Sequence, residues 1–371
     1  MNQPLQYLPV NWVDGMKINK AHFLSEQRAA TWHLAATAKA FVNELNYGLL
    51  PVAGGNNSVA VLVDNQQHLL LPLRNLYAIT TGGHLLYIDD ATGTNSCSVS
   101  IPAPAKNAQD TRLYALLSVQ PFERQPAGEP SIDESQWRPP FTEPVYALHL
   151  VNETEMTRNG NGAFYLPVAR LLLRHGRMVP DEDYIIPVTC CAASPVLMEK
   201  HQQLTGFYSQ LENWTLQIQQ KIVQKKQQND LAMVIMECCD KLAGYTAAEY
   251  QRGLLSYSQQ PPVVLLQSVG GLCRLLRNTF DIYTGTLKDE LFAYFNDWCG
   301  IVPETLETAM KHAATFTYRH YDCGEAMQVT TEAIKWLSRL FQSLAGLDYI
   351  GKKREAGIFV KEQVVSGQEE A

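Results

Sequence analysis

The chain has 371 residues, a formal net charge of −7 at pH 7, 46% hydrophobic residues and only 18% charged ones. That length suffices for more than one hydrophobic core, and the net negative charge excludes a basic surface over the whole protein for binding nucleic acid. No run approaches the roughly 18 apolar residues of a membrane span, and the first residues lack the pattern of a signal peptide. We therefore expect a cytoplasmic protein that does not insert into membranes and keeps its eight cysteines reduced.

The prolines divide the chain near residue 195. Sixteen of the 19 prolines lie at or before Pro195. Because proline fits turns and edge strands but not helix interiors, the first half should consist of strands and the second of helices. The predicted fold class is a multidomain β-then-α chain: an N-terminal antiparallel β-sandwich with one leading helix, then a C-terminal helical bundle or coiled-coil neck. The predicted domains are 1–190, 191–346 and a short tail, 347–371.

In the first half, a run without Pro or Gly predicts a helix over residues 20–45. Short apolar segments then predict an antiparallel sandwich, because no helices alternate with them. The predicted strands are Val59–Val63, Leu69–Leu73, Leu76–Thr80, Leu85–Ile88, Leu113–Val119, Val145–Val151 and Phe164–Leu173. Hairpin turns are expected at Thr81–Gly83 and at Asn159–Gly162, because Asn and Gly tolerate positive φ.

A heptad pattern begins after Pro195 and predicts a helix of some 30 residues. Its apolar seam either belongs to a bundle or self-associating coiled coil or packs within its own subunit, and the sequence does not decide between the two. The seam residues are Leu197, Leu204, Tyr208, Leu211, Ile218 and Ile222.

Four more helix starts follow in the second half. Pro261-Pro262 and Pro303 predict two of them, since proline suits a first helical turn. Thr286 with Asp289 predicts a capping box. Asp322, three residues before Glu325, predicts the N-cap of the last helix.

The residues offer no catalytic constellation: P-loop, nucleophile elbow and H-E-x-x-H are all absent from the sequence. Cys190-Cys191 and Cys238-Cys239 are adjacent pairs, not spaced like zinc ligands, which favours buried thiols. His312, His320, Asp322 and Cys323 could form a ligand set, but capping explains Asp322 better, and His320 suits a partly buried hydrogen-bonding role. We therefore expect no catalytic residue, no cofactor and no metal site.

The most informative segment lies just before the first helix. Trp12, Asp14, Gly15 and Met16 precede a His22-Phe23 pair. These residues suit either an N-terminal segment that packs against its own subunit or a protein interface, where Trp, Met and Phe are enriched. The segment resembles TssK, the type VI secretion baseplate subunit, whose pattern is Trp-x-Glu-Gly-Met-x-Leu followed by Pro-Gln-His-Phe-Gln. Asp14 stands for Glu here, Ile18 for Leu, and Lys20-Ala21 for Pro-Gln.

Further segments keep the order of that family. They are Tyr47-Gly48-Leu49, Leu166–Leu171, Asp181–Pro187, Ala193–Leu197 and Tyr321-Asp322. The resemblance implies a homotrimeric structural adaptor at the cytoplasmic face of the inner membrane, with no enzyme activity. Its β-sandwich shell would bind the TssF and TssG wedge proteins, and the first motif and the heptad seam would supply the shell interface and the neck.

The family also has a C-terminal head that reaches the membrane complex of TssL and TssM. Only 25 residues follow Gly346, which is too few for an independent domain. We expect this chain to lack that head and to meet a membrane-complex component other than TssL or TssM.

Two other functions fit the predicted architecture. One is a carbohydrate-binding or hydrolytic β-sandwich, for which Tyr87, Asp89, Asp90 and Trp137 are the candidate residues. The other is a phage-tail receptor-binding protein, which shares the β-then-α order.

Overall fold

The structure is a computed structural model. It describes residues 7–52, 57, 59–64, 66–72, 74–88, 96–101, 112–130, 138–159, 162–174 and 177–351. Within this part, strands occupy the N-terminal half and long helices the C-terminal half, as the distribution of prolines predicts.

The described strands form three antiparallel sheets, with orders β1-β4-β5, β2-β3-β6 and β10-β9-β7-β8. The strands are β1 (Gly48–Leu49), β2 (Leu62–Val63), β3 (His68–Pro72), β4 (Leu76–Ile79), β5 (Leu85–Ile88), β6 (Ser96–Ser100), β7 (Arg112–Ala127), β8 (Phe141–Asn152), β9 (Tyr165–Arg174) and β10 (Arg177–Pro180). All seven predicted strands have a counterpart. β1, β6 and β10 were not predicted, because they are very short or, in β6, rich in serine.

Strand β7 lies inside the four-stranded sheet and is buried on both faces. Leu117 and its neighbours two residues away point into the main core, whereas Tyr114 and Leu116 pack against Met156. Met156 belongs to a short helix, α2 (Glu153–Asn159), which connects β8 to β9. The hairpin predicted at Asn159–Gly162 is therefore wrong, since β8 and β9 both pair with β7 and not with each other. The turn at Thr81–Gly83 does join β4 to β5, as predicted.

Seven further α-helices lie in the described residues. They are α1 (Lys20–Lys39), α3 (Pro195–Gln224), α4 (Asp230–Leu255), α5 (Pro262–Asp281), α6 (Thr286–Cys299), α7 (Pro303–Ala314) and α8 (Gly324–Gly346). Prolines open α3, α5 and α7 as expected. The capping box predicted for α6 is wrong, because Thr286 is already helical and Gly285, at φ +72°, precedes the helix instead.

Helix α1 ends at Lys39, not at residue 45. Asn43 and Asn46 explain the early end, since their side chains bind backbone groups of the same segment: the Asn46 amide donates to Phe41 O (3.0 Å), and Asn46 Oδ1 accepts from Asn43 N (2.7 Å). Such local side-chain bonds compete with the helical hydrogen bonds.

The chain after α8 turns back onto the α3–α4 connection. Ile350 is completely buried, and its N–H donates to Gln227 Oε1 (3.2 Å). Lys221 Nζ donates to Leu347 O (2.9 Å), which satisfies a carbonyl just beyond the helix end. Residues 347–351 of the predicted tail thus pack on the helical part, and 352–371 lie outside the described residues.

Candidate functional site

Three aromatic side chains predicted as interface residues meet at the start of α1. The Trp12 ring lies 6.1 Å from the His22 ring and 6.2 Å from the Phe23 ring, centroid to centroid. Trp12 is 45% exposed and Phe23 62% exposed. We call Trp12, His22 and Phe23 the aromatic cluster; it combines mutual contact with an open apolar surface.

The cluster is fixed by hydrogen bonds at the start of the helix. Asn19 Oδ1 accepts from the N–H groups of Ala21 (2.9 Å) and His22 (3.3 Å), and the His22 ring accepts in return from Asn19 N–H, a reciprocal capping arrangement. Glu26 accepts from Val10 N–H at 2.8 Å and so ties the incoming chain to the helix.

The rest of the predicted motif forms the turn that leads into the cluster. Gly15 has φ +78°, a left-handed conformation that glycine adopts without strain, and Met16 N–H donates to Val13 O (3.2 Å). Asp14 and Gly15 are exposed, whereas Met16 is half-buried. Sequence reasoning thus located a real surface feature, and within it Asp14 and Gly15 shape the chain path without joining the aromatic contacts.

A bulge in β7 anchors the segment that precedes the cluster. Gln120 pairs with Val145 and Arg124 with Pro144, so residues 121–123 loop out of the ladder. Phe122 in this bulge lies 4.4 Å from the Tyr7 ring, between centroids. β-Bulges commonly redirect one side chain in this way.

Helix α1 has two different faces. Its fully buried residues are only Ala29 and Ala35, and a Cβ added to Gly83 in the β4–β5 turn would collide with Ala35 O. Small residues therefore let the helix approach the β part closely. The opposite face is exposed along its length, and we call its residues the α1 stripe: Phe23, Gln27, Ala30, Leu34, Thr37 and Phe41.

The heptad seam of α3 is covered by the subunit itself. Leu197, Tyr208, Leu211 and Ile218 are 0% exposed in the single chain, and Leu204 and Ile222 are buried as well. Thr215 lies at the heptad position between Leu211 and Ile218; it is also buried and donates to Glu212 O (2.8 Å). The side chains lie within the core that α3 shares with the other helices, as expected for a helix packed in its own subunit. Trimerisation stays a prediction, and it requires residues outside this seam.

An arginine whose side chain is only 12% exposed joins the β part to the helical part. Arg170 on β9 donates through Nε to Asp181 Oδ2 (2.8 Å) and through Nη1 to both carboxylate oxygens of Asp322 (2.7 Å each). Tyr114 on β7 donates its hydroxyl to the same Asp322 (2.6 Å). Burial opposes the charge on Arg170, but these bonds and the two carboxylates hold its pKa above the ordinary value. We call these four residues the junction cluster.

Asp322 is therefore not the N-cap that the sequence predicts. α8 has Cys323 at its cap position, with no capping bond from a side chain. The carboxylate instead turns towards Arg170, because a buried guanidinium offers charge-assisted hydrogen bonds. No local pattern marks Arg170 or Tyr114 as functional, since their partner Asp322 lies 152 and 208 residues away in the chain.

His320 completes the contact between the two parts. It is buried, its Nε2 lies 2.8 Å from Tyr47 O, and its Nδ1 lies 2.7 Å from the Tyr318 hydroxyl. Burial lowers the pKa of His320 to about 4, so the ring is neutral at pH 7. The predicted hydrogen-bonding role is confirmed, and burial is more complete than expected.

The cysteines are all buried and unpaired, as predicted for reduced thiols. Burial raises the pKa of Cys191 and of Cys238 to about 12, which disfavours the reactive thiolate. Among the described residues, no group of three His, Cys, Asp or Glu side chains is placed to hold a metal ion.

Ser118 on β7 and His149 on β8 form a serine–histidine contact. Ser118 Oγ lies 2.9 Å from His149 Nε2 beside a groove of about 440 Å³, but it is also 3.1 Å from Ala147 O. Ser118 sits opposite Ala147 on the paired strands, so His149 is its diagonal neighbour on the same face. The pair is thus a cross-strand contact of ordinary kind.

The carbohydrate-site candidates are not assembled in the described part. Tyr87 is exposed on β5 and packs edge-on against Tyr77, 4.7 Å between centroids. Asp89, Asp90 and Trp137 lie outside the described residues. None of the helices described is both long and apolar enough to span a bilayer.

Neither a scan of protein-family models nor a search of curated proteins gives a match. In fold, the chain is similar to solved structures of TssK. One, TssK from T6SS EAEC in complex with a nanobody, is 13% identical with a TM-score of 0.48, over 86% of this chain and 99% of that one. A chain in the baseplate complex from the type VI secretion system is 15% identical with a TM-score of 0.46, over 91% of this chain and 99% of that one. A chain in the TssK-TssF-TssG baseplate subcomplex is 14% identical with a TM-score of 0.44, over 91% of this chain and 100% of that one.

Proposed function

We propose that this chain is a TssK-like structural subunit of a type VI secretion baseplate, which acts by binding other proteins and not by catalysis. The observation that carries the proposal is the exposure of the N-terminal motif. The residues that resemble the family pattern, Trp12 and Phe23, contact each other and present apolar surface to solvent. Exposed aromatic residues on a fixed support are typical anchors of protein interfaces.

The proposed partners of the aromatic cluster are wedge proteins of the TssF and TssG kind. Their docking would bury the exposed parts of Trp12 and Phe23, while the Asn19 cap and the Val10–Glu26 bond keep the cluster ordered beforehand. A preordered surface loses less conformational entropy when it binds. The β part would then form the sandwich-like shell of the subunit.

The proposal includes a homotrimer that links the wedge to a membrane-side complex, with a component other than TssL or TssM. Because the α3 seam is core, the neck contact would use apolar residues outside the seam. Leu216 and Val223 on α3 are exposed and lie seven residues apart, so they share one face of the helix. The assembly would sit in the cytoplasm at the inner membrane.

Co-purification tests the proposal. The chain is expressed with the TssF- and TssG-like proteins of its own organism, and the double variant Trp12→Ala, Phe23→Ala is compared with Phe141→Ala. Phe141 is 72% exposed on β8 and lies outside the motif, so it controls for loss of any exposed aromatic ring. We expect the double variant to bind at least about tenfold more weakly, since anchor residues contribute more than about 1 kcal/mol each.

Two results would contradict the proposal. One is an absence of wedge protein in the wild-type eluate. The other is equal binding by the double variant and by Phe141→Ala, which would separate the aromatic cluster from the wedge contact.

A further inference from the structure

Within the described residues, nothing covers the α1 stripe. Leu34 is 73% exposed and Phe41 is 77% exposed, and the helix packs on the β part through the opposite face. Phe41 lies two residues beyond the last helical residue, Lys39, but its N–H still donates to Ala38 O at 3.0 Å, so the stripe continues through it. Large apolar groups at such exposure are normally scattered singly; here they share one line.

The spacing along the stripe is that of a coiled-coil seam. From Phe23 to Phe41 the six stripe residues alternate steps of four and three, which keeps them on one side of a helix that packs against another helix. Charged residues are absent from these six positions. The stripe therefore fits a second α-helix better than a sheet or a loop.

We propose that the α1 stripe packs antiparallel against the α1 stripe of a second copy of this chain. Reversing the stripe about residue 32 places Phe23 opposite Phe41, Ala30 opposite Leu34, and Gln27 opposite Thr37. The central layers then pair a large residue with a small one, as interdigitating layers require. A parallel arrangement would set Ala30 against Ala30 and leave a gap in the seam.

The polar layer also suits this pairing. The Thr37 hydroxyl already donates to His33 O at 2.9 Å, which leaves its oxygen lone pairs as acceptors. The Gln27 amide of the second copy supplies an N–H donor, so the Thr37 oxygen can accept a hydrogen bond when the layer is buried. A satisfied polar layer in such a seam fixes the register of the two helices.

The apolar area agrees with a weak but specific dimer. Three large side chains from each copy would remove on the order of 800 Å² from water, and the flanking residues bring the total towards the lower end of specific interfaces. The contact goes beyond the proposed function, because it joins two copies about a twofold axis. Phe23 belongs to both surfaces, so wedge proteins and a second copy would compete for that residue, whereas Leu34 and Phe41 belong to the α1 stripe alone.

Disulfide formation tests the pairing and its direction. All eight native cysteines are buried, so new surface thiols react against a low background. Separately purified Ala30→Cys and Leu34→Cys proteins are oxidised with diamide, alone and mixed. We expect the mixture to form linked dimers at least about five times as efficiently as either protein alone, because disulfides need Cβ atoms within about 4.5 Å. Ser25→Cys, exposed on another face of α1, gives the collision background.

Two outcomes would overturn the pairing. Ready linkage of Ala30→Cys with itself would show a parallel arrangement, and linkage no higher than that of Ser25→Cys would show that a second copy does not cover the stripe. Sedimentation gives an independent reading: Leu34→Asp should shift the self-association to at least about tenfold higher concentration. Met233→Asp, an exposed methionine in the first turn of α4, should leave it unchanged.

Discussion

Helices α1 and α3 both place apolar residues at heptad spacing, yet one pattern faces solvent and the other lies in the core. In α3, eight residues are fully buried, whereas in α1 only two alanines are. The difference arises from the surroundings, because α4 and α8 supply a cover for α3 and nothing in the described subunit covers the α1 stripe. Heptad spacing therefore marks a surface that must be covered, and only the fold tells which chain covers it.

The largest expected effect distinguishes a core seam from a subunit interface. Replacing Leu211, which is 0% exposed, by Asp should destabilise the subunit by at least about 4 kcal/mol, because a charge enters the core without a partner. Gln217→Asp, at an exposed position of the same helix, should change the unfolding free energy by less than about 1 kcal/mol. Urea unfolding followed by circular dichroism measures both. A Leu211→Asp protein that folds normally but only dissociates would assign the seam to an intersubunit contact instead.

The junction cluster belongs with α3 in this comparison, since its groups are satisfied within the subunit. Asp322→Ala leaves the Tyr114 hydroxyl and half of the Arg170 guanidinium without partners, so we expect a loss of about 3–5 kcal/mol. The matched control is Glu325→Ala, which breaks the exposed Arg112–Glu325 pair and should cost no more than about 1 kcal/mol. Chemical unfolding measures both variants. Equal losses of unfolding free energy would show that the junction cluster contributes no more than an exposed ion pair.

The next smaller effect is a loss of folding stability at acidic pH caused by His320. His320 has a pKa of about 4 in the folded protein, below that of an unfolded histidine, so the unfolded state takes up a proton first as the pH falls. The stability present above about pH 6.5 should decrease towards pH 4, by up to about 3 kcal/mol. His320→Gln keeps a donor for Tyr47 O and an acceptor for Tyr318, and it should lose this part of the pH dependence. Parallel pH profiles for the wild type and the variant would contradict the assignment.

The smallest effect concerns the start of α1. Asn19→Ala removes the bonds to the N–H groups of Ala21 and His22 and should cost about 1 kcal/mol of local helix stability. Faster amide hydrogen exchange at those two residues measures it, and Asn19→Asp, which keeps a capping oxygen, should retain protection. Unchanged exchange in Asn19→Ala would mean that the cap does not order the aromatic cluster.

The order of elements could be predicted from local signals. Proline positions separated strands from helices, and the heptad spacing located α3 to within two residues at either end. The end of α1 was missed because Asn43 and Asn46 act through side-chain bonds that periodicity does not show. The role of Asp322 was missed because an N-cap is a local pattern, whereas its actual partners lie on strands far away in the sequence.

The candidate site divides in the same way. The aromatic cluster was predictable, since Trp12, His22 and Phe23 lie close together in the sequence around one turn and one helix start. The exposure of the α1 stripe was not, because it depends on the opposite face, where Ala29 and Ala35 are buried and Ala35 lies against Gly83. The sequence shows that a helix has apolar residues, but not which face the rest of the chain leaves open.

Thiol labelling of a Leu34→Cys protein over a range of concentrations tests most directly whether another chain covers the α1 stripe. Cys239, completely buried in the helical part, serves as the unreactive internal reference, and Ser25→Cys serves as the exposed one. We predict that labelling at position 34 is fast in dilute solution and slows at least about fivefold as the protein associates, while position 25 keeps its rate. A labelling rate at position 34 that stays constant at every concentration would contradict the claim that another chain covers the α1 stripe.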